Sequence, residues 1–173
     1  MGTVFFAGTY GVGKSTVLEK LSVSSGIPAF SAGDLISERN GEAYGANKVV
    51  SDKTHNQTIL IDCISELLKK NPRILLAGHF CIMAKDGCVD HLPRFVFENI
   101  NLEKIILLEA PVETIVSNLS RRDNKSYSSD FIEEMLQEER SAAKHTAASL
   151  GIPLVVYKMT FSEKDKEVLM REL

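Results

Sequence analysis

Cysteine is scarce in this chain. There are three among 173 residues, Cys63, Cys81 and Cys88, an odd number with no C-x-x-C spacing. That excludes a disulfide framework as the organising device. Long apolar runs are missing too: no stretch approaches the ~20 residues a membrane helix needs. The N-terminus lacks the basic region of a signal peptide, and Phe6 stands where a myristoylation motif wants Ser or Thr. These absences predict a cytoplasmic protein. An excess of basic charge is absent as well. The net charge is −3, from 20 Lys and Arg against 23 Asp and Glu, which disfavours nucleic acid as a partner because a broad nucleic-acid surface is usually basic. Internal repeats and low-complexity linkers are not found.

What remains is ordinary globular material, 44% hydrophobic and 25% charged, of a length that suits one domain spanning 1–173. Its most specific feature is Gly8-Thr9-Tyr10-Gly11-Val12-Gly13-Lys14-Ser15, which matches the phosphate-binding pattern G-x-x-x-x-G-K-[ST] at every fixed position. An apolar run, Thr3 to Ala7, precedes it as a predicted buried strand, and Lys14 to Leu21 follows as the first turns of a helix. Gly8, Gly11 and Gly13 let backbone approach phosphate oxygens closely. Loop N–H groups from Tyr10, Val12 and Thr16 join them at the positive end of the helix. Lys14 supplies a point charge for the β- and γ-phosphates, and the Ser15 hydroxyl suits Mg²⁺. The motif therefore predicts binding of a nucleoside triphosphate with magnesium. No Asn-Lys-x-Asp guanine-reading motif accompanies it, because Asn47-Lys48-Val49-Val50 and Asn124-Lys125-Ser126-Tyr127 both lack the Asp.

Apolar periodicity and breakers alternate along the chain. Strands are predicted at 3–8, 29–32, 73–78, 104–109 and 154–158. Helices are predicted at about 13–24, 34–40, 51–70, 111–122, 130–150 and 162–173, the fifth of them opened by an Asp130/Glu133 capping box. Gly41 to Gly45 reads as a breaker, and Lys85-Asp86-Gly87 as a turn in a loop, with a short segment at 92–98 after it. The expected fold is α/β: a single-domain, three-layer P-loop kinase fold, with a five-stranded parallel sheet covered by helices on both faces and a short lid. Ligands should gather at the carboxyl ends of the strands.

The chain resembles the nucleoside monophosphate kinases, in particular the compact archaeal-type adenylate kinases. Beyond the P-loop, the resemblance rests on Ser31-Ala32-Gly33-Asp34-Leu35 after the second strand and Asp86-Gly87 with His91-Leu92-Pro93 after the third. It continues with Ile106 to Pro111, Arg122-Asp123 and Arg140-Ser141-Ala142-Ala143. It implies ATP and Mg²⁺ as cofactors, a small-molecule nucleotide as phosphoryl acceptor, an acceptor-binding region at about 33–70 and a lid at about 121–130. The pattern departs in two places. Ile36 and Ser37 stand where the family carries an arginine, leaving Arg39 a turn later to reach that phosphate. Gly78-His79 stands where the family ends its third strand in an acid near a histidine, the usual anchor for Mg²⁺.

Phosphoryl transfer asks a protein for alignment and charge neutralisation. Lys14, Arg121, Arg122 and Arg140 are the candidates for the transferring group. Asp34 is a candidate to anchor Mg²⁺ through water or to act as a base on an acceptor hydroxyl, with a helix N-cap as its plain alternative. The plain alternatives for the arginines are a solvated helix end and, for Arg140, a pair with Glu138 or Glu139. His79, Asn56 and Gln57 could contact the acceptor. His79, Cys81, Cys88 and His91 lie close in sequence, but their spacing fits no standard zinc pattern. Three functions stay open: a nucleoside monophosphate kinase, a small-molecule alcohol kinase with Asp34 as base, and a nucleotide-binding regulatory ATPase.

Overall fold

The structure is a computed structural model that describes residues 2–40, 53–84 and 87–173. Gly41–Gly45, Asn47–Val50, Ser51 and Lys85-Asp86, all named above, lie outside the described residues. In chain order the elements are β1 (Gly2–Ala7), α1 (Lys14–Ser25), β2 (Ala29–Ser31), α2 (Ala32–Asn40), α3 (Lys53–Lys70), β3 (Arg73–Ala77), β4 (Cys81–Met83) and β5 (Val89–His91). They continue with α4 (Arg94–Asn99), β6 (Leu102–Glu109), α5 (Val112–Asp123), α6 (Ser129–Leu150), β7 (Leu154–Lys158) and α7 (Glu163–Met170).

Five strands form one sheet in the order β2-β3-β1-β6-β7, parallel at every pairing. Both faces are covered, so the central strands read as nearly unbroken apolar runs, and alternate residues go to opposite layers. Phe5, Ala7, Ile74, Leu76, Ile105 and Leu107 pack with α3, α4 and α6. Val4, Phe6, Leu75, Ala77, Ile106 and Leu108 pack with α1 and α7. The expected three-layer P-loop fold is what the chain adopts.

Three local expectations are corrected. The segment after β3, read as a loop, contains an antiparallel hairpin in which Cys81 pairs with His91 and Met83 with Val89. Its strands have three residues each, too short for a periodic signal. The Asp130/Glu133 capping box is not formed. Helix α6 starts one residue earlier, capped by the Ser128 side chain, which accepts from the Phe131 N–H. A capping box appears instead at α7, between Ser162 and Asp165. Helix α2 begins at Ala32, ahead of Asp34, because the Ser31 Oγ takes the capping position and accepts from the Asp34 N–H.

No helix of the described residues is long and apolar enough to cross a membrane.

Candidate active site

The P-loop leaves β1 at Ala7 between two parallel neighbours, β3 and β6. Helix α5 packs down on its crest. A Cβ on Gly11 would lie 2.8 Å from Leu119 Cγ, at a φ of 77° that side chains rarely adopt. Only glycine fits there. From the same helix, Asn118 Nδ2 donates to the Gly11 carbonyl at 3.0 Å. Val12 is fully buried, and Ser15 and Thr16 open to solvent at the first turn of α1.

Lys14 is buried, and its Nζ donates to the carbonyls of Gly8 at 2.6 Å and Thr9 at 2.9 Å. Burial drives its pKa down to about 7. The negative charge of Glu139 opposes that fall and the Arg122 charge adds to it. An ammonium stripped of water and held by two carbonyls is primed to exchange them for phosphate oxygens. The Tyr10 ring stacks on His79 at a centroid distance of 4.2 Å, which brings the loop after β3 against the P-loop.

Glu139 was not expected at this site. It lies on α6, is 1% exposed, and accepts hydrogen bonds from the N–H groups of Gly8 (3.0 Å), Phe80 (2.9 and 3.0 Å) and Cys81 (2.8 Å). Burial raises its carboxyl above the ordinary range, while the Phe80, Cys81 and Gly8 amides and Lys14 pull it back. Its only sequence signal is a charged residue on the apolar face of a helix, four places from Met135 and Ala143.

The missing acid at the end of β3 has a packing reason. A Cβ on Gly78 would sit 2.6 Å from Phe5 Cε2 and 2.8 Å from Cζ. The Phe5 ring, locked between Phe80 and Phe97, occupies the space an aspartate would need.

The three candidate arginines have three different partners. Arg121 Nη2 donates to Asn118 Oδ1. Arg122 is bidentate to Asp123 at 2.6 and 2.8 Å, and that bond pulls the Asp123 carboxyl down to about 2. Arg122 is the one whose charge reaches Lys14. Arg140 pairs with neither Glu138 nor Glu139. It makes a bidentate pair with Glu109, a buried acid at the end of β6. Beside that pair opens a cavity of about 610 Å³, lined by Pro111, Glu133, Lys144 and Lys158 among others, with no P-loop residue in its wall. Arg39 is committed to Glu66 on α3 at 2.7 Å. Asp34 is exposed near the carboxyl end of β2. Asn56 Oδ1 is taken by Asn40, whereas Gln57 is 5% exposed and its Oε1 has no hydrogen-bond partner among the described residues.

A second residue that sequence reasoning missed follows β7. Phe161 holds a left-handed φ of 56°, is 46% exposed, and its ring edge lies 3.4 Å from where a Gly13 Cβ would be. Asp165 fixes this loop by accepting from Thr160 N and Oγ1 at 2.9 and 2.6 Å. A bulky residue in αL is uncommon and costs energy, and here it sets an aromatic ring beside the phosphate loop.

The described residues hold no group of three His, Cys, Asp or Glu able to bind a metal. Cys81 meets His91 Nδ1 at 3.5 Å, but burial pushes its thiol up to about 12, which makes it a poor zinc ligand. Magnesium asks less of a protein. It keeps waters and takes phosphate oxygens, so the exposed Ser15 hydroxyl is a fitting single protein donor.

A glycine-rich loop between parallel strands, a buried lysine within it and helices over both faces define a P-loop fold. Residues 7–136 match the AAA domain family, and the chain belongs to that family. A curated relative, an adenylate kinase from Thermoplasma volcanium, is 29% identical over 120 residues, covering 68% of this chain and 65% of the relative's length. The fold also matches a shikimate kinase from Acinetobacter baumannii in complex with shikimate, with TM-score 0.63, 14% identity and 99% and 92% of the two chains covered. A gluconokinase from Sinorhizobium meliloti 1021 matches with TM-score 0.56, 13% identity and 99% and 88% covered.

Proposed function

We propose that the chain transfers the γ-phosphoryl group of Mg·ATP to a nucleoside monophosphate. On this reading Lys14 and the P-loop amides bind the β- and γ-phosphates. Ser15 holds Mg²⁺, with Asp34 as an anchor through water. The Phe161 face supports the adenine ring. Arg122, nearest to Lys14 in its electrostatic effect, neutralises the group in flight, and Arg121 and Arg140 join when the 121–130 segment closes as a lid. The cytoplasm is the fitting compartment for a protein whose cysteines are all free.

The observation that carries the acceptor class is Gln57. Helix α3 runs into β3, so its first turns lie at the carboxyl edge of the parallel sheet. There the buried Gln57 amide carries an oxygen with no hydrogen-bond partner among the described residues. A carboxamide offers an acceptor and a donor side by side, the complement of an adenine edge. An apolar side chain would serve as well were this position only core.

One observation favours a second acceptor class. Ser31 already caps α2, so the Asp34 carboxylate is free to act as a base on an acceptor hydroxyl.

The test is ADP formation from Mg·ATP against all ribo- and deoxynucleoside monophosphates, nucleosides, shikimate and gluconate. A response to one monophosphate supports the first reading, and a response to an alcohol the second. ATP turnover that no acceptor stimulates rejects both in favour of a regulatory ATPase. Lys14→Ala should abolish turnover with the fold intact by circular dichroism; wild-type activity would reject the site.

A further inference from the structure

Helix α6 reaches into the site through one residue whose chemistry the motif does not account for. Three N–H groups from two separate segments converge on the Glu139 carboxylate: Gly8, where β1 becomes the P-loop, and Phe80 and Cys81, which open the β4–β5 hairpin. Both oxygens accept, an arrangement that favours the ionised form. The two anchored segments carry the opposite walls of the site. Gly8 leads the triphosphate cradle. Phe80 follows His79, whose ring lies on Tyr10. The Phe80 carbonyl in turn accepts from Leu92 N at 2.8 Å, so the hairpin's far end hangs on the same point.

We propose that Glu139 is a positioning residue: its carboxylate straps the loop after β3 to the root of the P-loop and so fixes the separation of acceptor and triphosphate. Its role is to hold the two segments, since both its oxygens face backbone amides. Gly78 has no side chain to share this role, and the Glu139 bonds act beside the His79–Tyr10 ring contact. The alignment role rests on the kinase reading above; the strap itself does not.

Glu139→Gln keeps the reach and one accepting oxygen but turns an amine toward an amide. Glu139→Asp keeps the charge and retracts it by one methylene. Amide hydrogen exchange on the free, full-length protein is the first readout. In Glu139→Gln, Phe80 and Cys81 should exchange at least ~10-fold faster than in the wild type, while strand amides such as Leu75 and Ile106 stay protected. Turnover is the second, measured well below the variant's melting temperature. There kcat should fall ~10²-fold, as misplacement of about 1 Å does, with the KM for ATP within about threefold. A purely structural glutamate would lower the melting temperature and leave kcat alone, and that result overturns the alignment role. Unchanged exchange at all three amides overturns the strap. Should Glu139→Gln fail to fold, Glu139→Asp carries the same two readouts, with loss of kcat expected and wild-type kcat overturning. Because exchange is read without ATP or acceptor, a wrong acceptor assignment leaves that arm standing.

Discussion

Gly78→Ala puts the account of the missing acid to a test of sign. Gly78 does not have a positive φ, so its backbone is open to any residue. Replacing a glycine at such a site normally stabilises by about 0.4–1 kcal/mol, through the unfolded chain. Here the added methyl would fall 2.6 Å from Phe5 Cε2, closer than real carbon contacts come. The obstacle is a ring 2% exposed, edge-on to Phe80 at 5.3 Å, and it cannot swing aside alone. Overpacking of this kind costs about 1–3 kcal/mol. At about 2–4 °C per kcal/mol for a domain this size, the melting temperature should drop by roughly 2–12 °C. The assay is urea unfolding and a thermal melt of both proteins, followed by a cycle with Phe5→Val. That change alone should cost about 2–3 kcal/mol as a cavity. Combined, the methyl enters the space the ring has left, and the two should couple by at least ~0.5 kcal/mol toward stability. A Gly78→Ala protein that melts higher than wild type would refute the packing argument, and with it the reason given for the absent aspartate.

Other consequences follow from the site. Lys14 is held near pKa 7 in the free protein, so above that pH binding a triphosphate must restore a proton. ATP affinity should therefore decline as pH rises from 7 to 9, by up to ~10-fold per unit; titration calorimetry showing flat or rising affinity would contradict the lowered pKa of Lys14. Asp34→Asn should cost more than ~10²-fold in kcat if the carboxylate is a base or a water-mediated metal anchor, with melting little changed because Ser31 provides the cap; a loss of only a few-fold would remove Asp34 from the chemistry. Phe161→Ala should raise the KM for ATP at least fivefold, from about 1 kcal/mol of lost base stacking; an unchanged KM would take Phe161 out of the nucleotide site.

Much of this was legible in the residues, and for a physical reason. Strands buried on both faces need unbroken apolar runs, and a phosphate cradle needs glycines and a lysine at fixed spacing; both are local demands, so β1, β3, β6, β7 and Gly8–Thr16 stand out. Partner choice is not local. Arg140 has acids beside it in sequence, yet its helix face turns it to Glu109, 31 residues away. Glu139 looks like one more surface charge until the fold delivers three distant amides to it. The hairpin after β3 is too short to show alternation, and Phe161 reads as an ordinary loop residue until its backbone angle and its nearness to Gly13 are seen.

Glu139 also bears on when this molecule becomes itself. Its bond to Gly8 closes a span of 131 residues. A ribosome adding 5–20 residues per second takes roughly 7–26 s to make that stretch. For all of that time the phosphate loop, made before α6, lacks the group that anchors its root. Nucleotide capture during synthesis is therefore deferred until α6 emerges, long after the motif that performs it.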